Sequence, residues 1–324
     1  MPARIILAAV AFVLAQWSHA ARADDFPSRP ITIVVPFAAG GGGDVAARIV
    51  ADGMQKSLGQ SVIVENVTGA GGSIGTGRVA RAKPDGYTLV AGQWGTHVAN
   101  PALYKLDYDV TADFEPIGLI TYSPIVIVAR KDLPASDLRG LVAWLNANPG
   151  KASAGTSGNG SLEHVPGLLF QKATGTKFEF IPYRGGGPAI QDVVAGHLDL
   201  IFCSVATAQQ HIVAGKVKAL AVMSNARFAG MPDVPTVDEA GVPGVYFFWW
   251  SALYAPRGTP RDAVEKLDRA MVAALADPEV RKRFVDPSQI APADRQTPEG
   301  LRARQKTDTE MLVPLMKAAG IKPE

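Results

Sequence analysis

Glycine is the residue type whose spacing in this chain bears on chemistry. Four clusters follow short apolar stretches and precede helix-like segments: Gly40-Gly41-Gly42-Gly43, Gly69-Ala70-Gly71-Gly72, Gly155 through Gly160, and Gly185-Gly186-Gly187. Without a Cβ, backbone can approach a ligand closely, and a helix start presents unpaired N–H groups with partial positive charge. Several such junctions facing one cleft make a site for small anions without lysine or arginine. Thr156, Ser157 and Ser161 add hydroxyls that either donate to a ligand or cap the next helix. Asp44 reads as a helix cap, because its charge would repel an anion. Arg184 beside Gly185 is either a carboxylate clamp or a solvent-facing side chain. Trp94 and the pair Trp249-Trp250 are candidates to wall the cleft, although alternation along a strand turns one of the pair into the core.

Catalytic patterns are incomplete by comparison. Gly69-x-Gly71-x-x-Ile74 lacks the last glycine of the dinucleotide fingerprint, and Gly75-x-Gly77-x-x-Ala80 falls inside an expected helix. No cluster leads into Gly-Lys-Ser or Gly-Lys-Thr, so the P-loop pattern is missing. Gly155-x-Ser157-Gly158 approaches a nucleophile elbow but has Asn159 where glycine is needed. A hydrolase using Ser157, with His164 nearby in sequence, is therefore the enzymatic alternative. His97, His164, His197 and His211 show no metal-binding spacing. The chain reads as a non-enzyme, with no cofactor and no metal.

The elements that must position these loops recur in two halves. Ile31–Val35 is a β-branched run ending at Pro36, and Ala46, Val50, Met54 and Leu58 recur at helical steps after Asp44. Gly59 stops that helix and Val62-Ile63-Val64 begins a strand. A short helix from about Ser73, a turn at Pro84-Asp85-Gly86 and the strand Tyr87–Val90 follow. The order then repeats: a strand near Ala152, the Gly155–Gly160 loop, a helix ending at Gly175, the strand Phe178–Ile181, Pro188 at an expected first helical position, and the strand Leu198–Phe202. Pro166 would fall in the fifth position of a helix capped by Ser161, so that helix either begins near Val165 or is kinked. Each half is β-α-β-α-β, which builds a doubly wound parallel sheet with ligand loops at the carboxyl ends of its strands.

Two segments read as crossings between the halves: Pro116–Arg130, with apolar runs either side of Ser123-Pro124, and Val245–Ala255. Helical repeats follow at Ala263, Leu267, Met271 and Leu275, then over Thr297–Ala318. The expected lobes are 24–123 plus 251–324, and 124–250, joined by two strands. Two lobes on a double hinge form a clamp that closes on a ligand.

Residues 1–23 differ from the rest. Arg4 precedes the apolar run Ile5–Ala15, and Ala21-Arg22-Ala23 gives the small-x-small pattern of a cleavage site. This reads as a secretory signal peptide, the run being too short to span a bilayer. Its removal takes away Arg4 and Arg22 and leaves 30 basic against 30 acidic residues, which argues against nucleic acid as a partner. Cys203 is the only cysteine, so no internal disulfide can form. The 324-residue chain, 47% hydrophobic and 19% charged, has ordinary globular composition and room for two domains. An exported, periplasmic product is expected.

The run Pro30–Asp44 (PITIVVPFAAGGGGD), followed by Val64–Gly72 (VENVTGAGG), resembles the extracytoplasmic solute receptors of tripartite tricarboxylate transporters, the Bug receptors. Pro84–Leu89, Tyr183–Gly186, Pro232–Thr236 and Ala255–Pro260 also resemble landmarks of that family, and the likeness runs from about Phe26 to the C-terminus. It implies an α/β fold of the two-lobed periplasmic binding (Venus flytrap) type. It further implies a monomer that delivers a small organic carboxylate to a permease of one large and one small membrane subunit. In that family, backbone amides and hydroxyls of two loops hold the carboxylate. The corresponding positions are Phe37–Gly43, including Phe37, Ala39, Gly40, Gly41 and Gly42, and Thr156–Ser161, including Thr156, Ser157, Gly158, Gly160 and Ser161. His164, Tyr183, Arg184, Gly185 and Ser204 are their expected second-lobe neighbours, and Trp94, Thr96 and Trp250 are expected to line the cleft. Gly43 departs from the family, which commonly has a hydroxyl residue just before Asp44. A di- or tricarboxylate is the expected ligand. The aromatic stretch Tyr246–Trp250 keeps a benzoate- or phthalate-type acid open, and a signalling sensor is a further alternative.

Cleavage is expected after Ala23, because Ala21 and Ala23 are small and Asp24-Asp25 opens a polar chain. Intact-mass analysis of periplasmic material should find a chain beginning at Asp24; a retained leader would point to a membrane anchor instead.

Overall fold

The computed structural model describes residues 26–321 apart from 38, 41, 184, 285 and 286. The leader, Gly41 and Arg184 therefore lie outside the described residues. The first parallel unit joins β1 (Ile31–Val35) to β2 (Val62–Asn66) on one side and to β3 (Thr88–Gln93) on the other. Helices α1 (Gly42–Leu58) and α2 (Ser73–Ala80) connect them. The periodic residues Ala46, Val50, Met54 and Leu58 are all buried along α1, against strands rich in β-branched side chains.

The second parallel unit is β6 (Glu179–Pro182), β5 (Ser153–Thr156) and β7 (Leu200–Ser204), with α5 (His164–Thr174) and α6 (Gly186–Ala195) as its crossovers. The sequence pattern places these elements to within a few residues. Its alternatives at Pro166 resolve in favour of a later start: α5 begins at His164, so Pro166 sits in the first turn, where its missing N–H has no intrahelical partner to lose. Pro188 is two residues inside α6 rather than at its first position, since the helix opens at Gly186.

Two long antiparallel strands tie the units together. β4 (Phe114–Arg130) runs unbroken for 17 residues through Ser123-Pro124, where the sequence shows two apolar runs. Its first part pairs with β9 (Phe248–Pro256), from Phe114↔Pro256 to Pro124↔Phe248, and β9 in turn pairs with β3. From Ile125 onward β4 exchanges partners and lies between β7 and β8 (Val217–Val222). The switch falls at Pro124, which has no N–H to contribute to a ladder. The chain makes the same crossing just before β9: Phe247 bonds Met223 and Ile125 through its backbone, and Phe248 already belongs to the first sheet.

The remaining helices are α3 (Asn100–Leu103), α4 (Leu138–Ala147), α7 (Val205–Val213), α8 (Arg261–Ala276), α9 (Pro278–Arg281) and α10 (Pro298–Ala318). α10 is anchored on the crossing strands. The Trp250 indole N–H donates to Asp308 Oδ2 at 2.7 Å, Arg304 pairs with the same carboxylate, and Arg304 Nη1 donates to Tyr122 Oη at 2.9 Å. Tyr122 stacks on Phe248 with centroids 4.5 Å apart, and the Arg295 guanidinium lies 4.2 Å from the centre of the Tyr122 ring. Among the described residues no helix is long and apolar enough to cross a membrane.

On α8, Asp268 is half-buried with Oδ1 lacking a partner, and burial with nearby Glu299 pushes its carboxyl up to about 6. The folded protein thus binds this proton more tightly than the unfolded chain, and stability is lost as pH rises from the ordinary aspartate value through about 6. Asp268→Asn should therefore gain about 1 kcal/mol at neutral pH, after allowing for solvent screening, and nothing at pH below about 4. Urea unfolding of both proteins at the two pH values measures this; an equal difference at both would refute it.

Candidate functional site

All the loops singled out by sequence leave the carboxyl ends of parallel strands. The segment 36–43 follows β1, 69–72 follows β2, 94–97 follows β3, 156–161 follows β5, 183–187 follows β6, and Ser204 ends β7. In an open parallel sheet this is the end at which ligands bind.

In the first unit Ala39, Gly40 and Gly42 are exposed and Phe37 is half-buried. Asp44 does not cap α1 from outside. It sits within the first turn, buried, where its carboxylate accepts the Gly40 N–H at 2.9 Å, the Asn66 amide at 2.8 Å and the Arg48 guanidinium at 3.0 Å. Burial raises the Asp44 carboxyl, but these donors outweigh it and hold the group below its ordinary value. Gly43 packs so closely on Gln93 that a Cβ there would overlap its side-chain amide. An amide of β3 thus fills the space next to Gly43. Gln93 is a residue the sequence reading missed, because only the strand pairing brings it to the loop.

The cleft-wall expectation needs correction at the aromatic positions. Trp94 is 1% exposed and packs edge-on against Phe247, with its indole N–H unpartnered. Thr96 is fully buried, its hydroxyl donating to Gln93 O and bonded to His97 Nδ1. Trp250 is fully buried on Asp308, whereas the Trp249 ring would stand 3.8 Å from a Cβ on Gly42. The strand thus turns Trp250 into the core and Trp249 toward the first loop. Burial also holds His97 neutral, lowering its pKa to about 3.

The second-unit loop is compact. The Thr156 hydroxyl, 3% exposed, donates to Gly158 O and receives the Gly158 N–H, and it bonds Ser161 Oγ at 2.9 Å. Gly160 N–H donates to His164 Nδ1 at 3.0 Å; His164 is the first residue of α5 and stands edge-on to Phe180. Ser161 also accepts the His164 N–H, which is the helix-start role, one of the two alternatives the sequence leaves open. Gly158 has φ 111° and Gly160 φ 72°, both left-handed, and a Cβ on Gly160 would collide with Leu103 of α3. That contact brings the second-unit loop directly against the first unit. The exposed Ser157 donates to Glu163, a buried acid that the sequence reading did not single out. Its only signal was an acidic residue set between a hydroxyl-rich loop and a helix.

The outlying candidates have local partners. Tyr183 Oη donates to Asp192 at 2.6 Å, and that carboxylate, with some burial, pushes the phenol up to about 12. Ser204 caps α7 by accepting the Thr207 N–H. Gly185 precedes α6 with φ 125° and open space around it. Among the described residues no group of His, Cys, Asp or Glu is arranged to hold a metal ion.

Residues 46–311 match the model of the tripartite tricarboxylate transporter family receptor. Among solved structures, the periplasmic binding protein BugD is 39% identical with a TM-score of 0.81, covering 92% of this chain and 100% of its own. MatC (Rpa3494) from Rhodopseudomonas palustris, solved with bound malate, is 36% identical with a TM-score of 0.80, covering 90% of this chain and 100% of its own. Rpa4515 from R. palustris, solved with adipate, is 30% identical with a TM-score of 0.82, covering 93% and 100%. The two parallel units joined by β4 and β9 are the two lobes of a periplasmic binding fold, and the chain belongs to the tripartite tricarboxylate transporter family of receptors, which bind solutes and are not enzymes.

Proposed function

We propose that this protein captures a small aliphatic dicarboxylate between the 37–43 loop and the 156–161 loop and presents it to a tripartite tricarboxylate-type secondary transporter. The observation that carries the reading is the contact of Gly160 with Leu103, which sets the glycine loop of one sheet against the other at the carboxyl ends of the strands. The lobes are 24–123 plus 251–324, and 124–250, and the hinge is the pair of crossings at Pro124 and Phe247-Phe248. Malate in MatC and adipate in Rpa4515 favour an open-chain diacid over an aromatic one. The aromatic stretch supports an aromatic acid less than its composition suggests, because Phe247 and Trp250 are in the core and Tyr246 donates to Asp238. The large and small membrane subunits would recognise the closed form. Export to the periplasm with loss of residues 1–23 completes the reading.

A diacid such as malate should bind far better than its dimethyl ester, which loses charge and leaves N–H donors poorly paired. At about 100 times its dissociation constant the acid should add roughly 2.7 kcal/mol of stability, a melting shift of several degrees. Small-angle scattering should show a more compact particle on binding. Equal affinity for acid and ester would sink the reading.

Glycine at 160 should matter through the lobe contact. Gly160→Ala forces Leu103 aside and strains a left-handed residue, and should lower diacid affinity by at least about tenfold. Gly42→Ala meets Trp249 at ordinary contact distance and should change affinity by less than about threefold. Calorimetric titration compares the two; equal losses would mean that closure does not run through Gly160.

A further inference from the structure

The 156–161 loop already holds a carboxylate. Glu163, 5% exposed, accepts a hydrogen bond from Ser157 Oγ, while Ser161 and the backbone at Ser157 and Glu163 favour its charged form. The loop's other amides are engaged too: Gly158 N–H on Thr156 Oγ1, Gly160 N–H on His164 Nδ1 and Ser161 N–H on Gly158 O. Glu163 Oε1 also lies against the start of α6, where a Cβ on Gly186 would stand 2.6 Å from it. This acid fills the space between the third and fourth glycine clusters, where the second lobe would otherwise grip an anion.

Asp44 plays a comparable part in the first lobe, with one difference. Asp44 is paired with Arg48, whereas Glu163 forms no ion pair among the described residues and is held by neutral donors alone. A buried carboxylate with a guanidinium stays ionised; one with hydroxyls and amides can exchange charge with a proton. Resting on the receptor reading above, we propose that Glu163 is the specificity-determining acid of the second-lobe loop: a ligand carboxylate gains the Ser157 and Ser161 donors only when Glu163 carries a proton, so capture takes up one proton from solvent. Two ionised carboxylates on the same buried donors repel, while one proton shared between them makes a charge-assisted hydrogen bond. Burial pushes the Glu163 carboxyl up, against the pull of its donors, in the direction this exchange requires. The titratable groups around it are His164, next on α5 and engaged with Gly160, and Cys203 of β7, a buried thiol whose own value is raised by burial and by Glu163. α6 offers Gly186, with Thr207 of α7 beyond it, both uncharged.

Calorimetric titration of the mature protein with L-malate, in buffers of different ionisation enthalpy between about pH 6 and 8, counts the protons exchanged. One proton should be taken up per malate, and affinity should fall by up to about tenfold per pH unit once Glu163 ionises. Glu163→Gln, which keeps the shape and cannot ionise, should bind without proton uptake and with a flat pH profile. Malate binding to the unaltered protein with no net proton exchange overturns the proposal, whether or not the variant folds. A slope that survives in Glu163→Gln places the proton on another group and also overturns it. If neither L-malate nor adipate binds at any of these pH values while the protein melts cooperatively, the receptor reading falls and takes the proposal with it.

Discussion

Antiparallel pairing of β4 with β9 is the constraint on which the rest of the molecule depends. β4 begins in the first sheet and ends in the second, β9 starts at the border and runs back through the first, and their register carries Pro124 opposite Phe248 at the point of exchange. A proline there keeps the backbone from donating into either ladder, so partners can change without leaving an N–H unpaired. α10 then fixes the crossing from one side through Trp250, Asp308, Arg304 and Tyr122. Asp308 is 1% exposed, and burial raises its carboxyl against the pull of Arg304. Breaking such a buried pair by removing one partner typically costs about 3–5 kcal/mol, which explains why so much polar chemistry is concentrated where two lobes must keep a fixed axis.

From that axis the placement of the loops follows. Parallel units on either side direct the carboxyl ends of their strands toward the same region, and each strand end there opens into glycine or a hydroxyl residue. The loops are not slack. Asp44 organises the first through Gly40 and Asn66, and Glu163 ties down the second through Ser157. Pre-ordering of this kind lowers the entropy lost when a ligand arrives, but it also means that the ligand meets donors that already have acceptors.

Much of the fold was legible in the sequence, because β-branched runs, four-residue steps and glycine stops are local signals. β1, α1 and β2 match the pattern closely, and so does the end of α5 at Gly175. The crossings were legible as apolar runs, yet the continuity of β4 through Pro124 was not, since a proline between two strands reads as a break until the partner strands are known. The candidate loops were singled out by composition and family likeness, and the structure puts them at strand ends. Which tryptophan faces the loop was not, because strand phase depends on register with β4: Trp250 goes to Asp308 and Trp249 to Gly42. Gln93 and Glu163 were out of reach for a related reason. Gln93 reaches Gly43 only through strand pairing, and Glu163, though next to its loop in sequence, looks like an ordinary acid before a helix until its burial is seen.

An acid resident in an anion site has a consequence for the choice of ligand. A monocarboxylate that replaced Glu163 on Ser157 and Ser161 would exchange one set of hydrogen bonds for an equivalent set, with little net gain. A ligand bearing a second carboxylate within reach of the 37–43 loop adds an interaction that Glu163 cannot make. Once one end is held, that second contact forms at high effective concentration. The internal competitor therefore penalises short acids without excluding them sterically. On that proposal, discrimination arises from the distance between the two loops, which the β4–β9 crossing sets. The proposed receptor selects for length and charge together, with glycine and serine making the contacts and the buried Glu163 as the threshold.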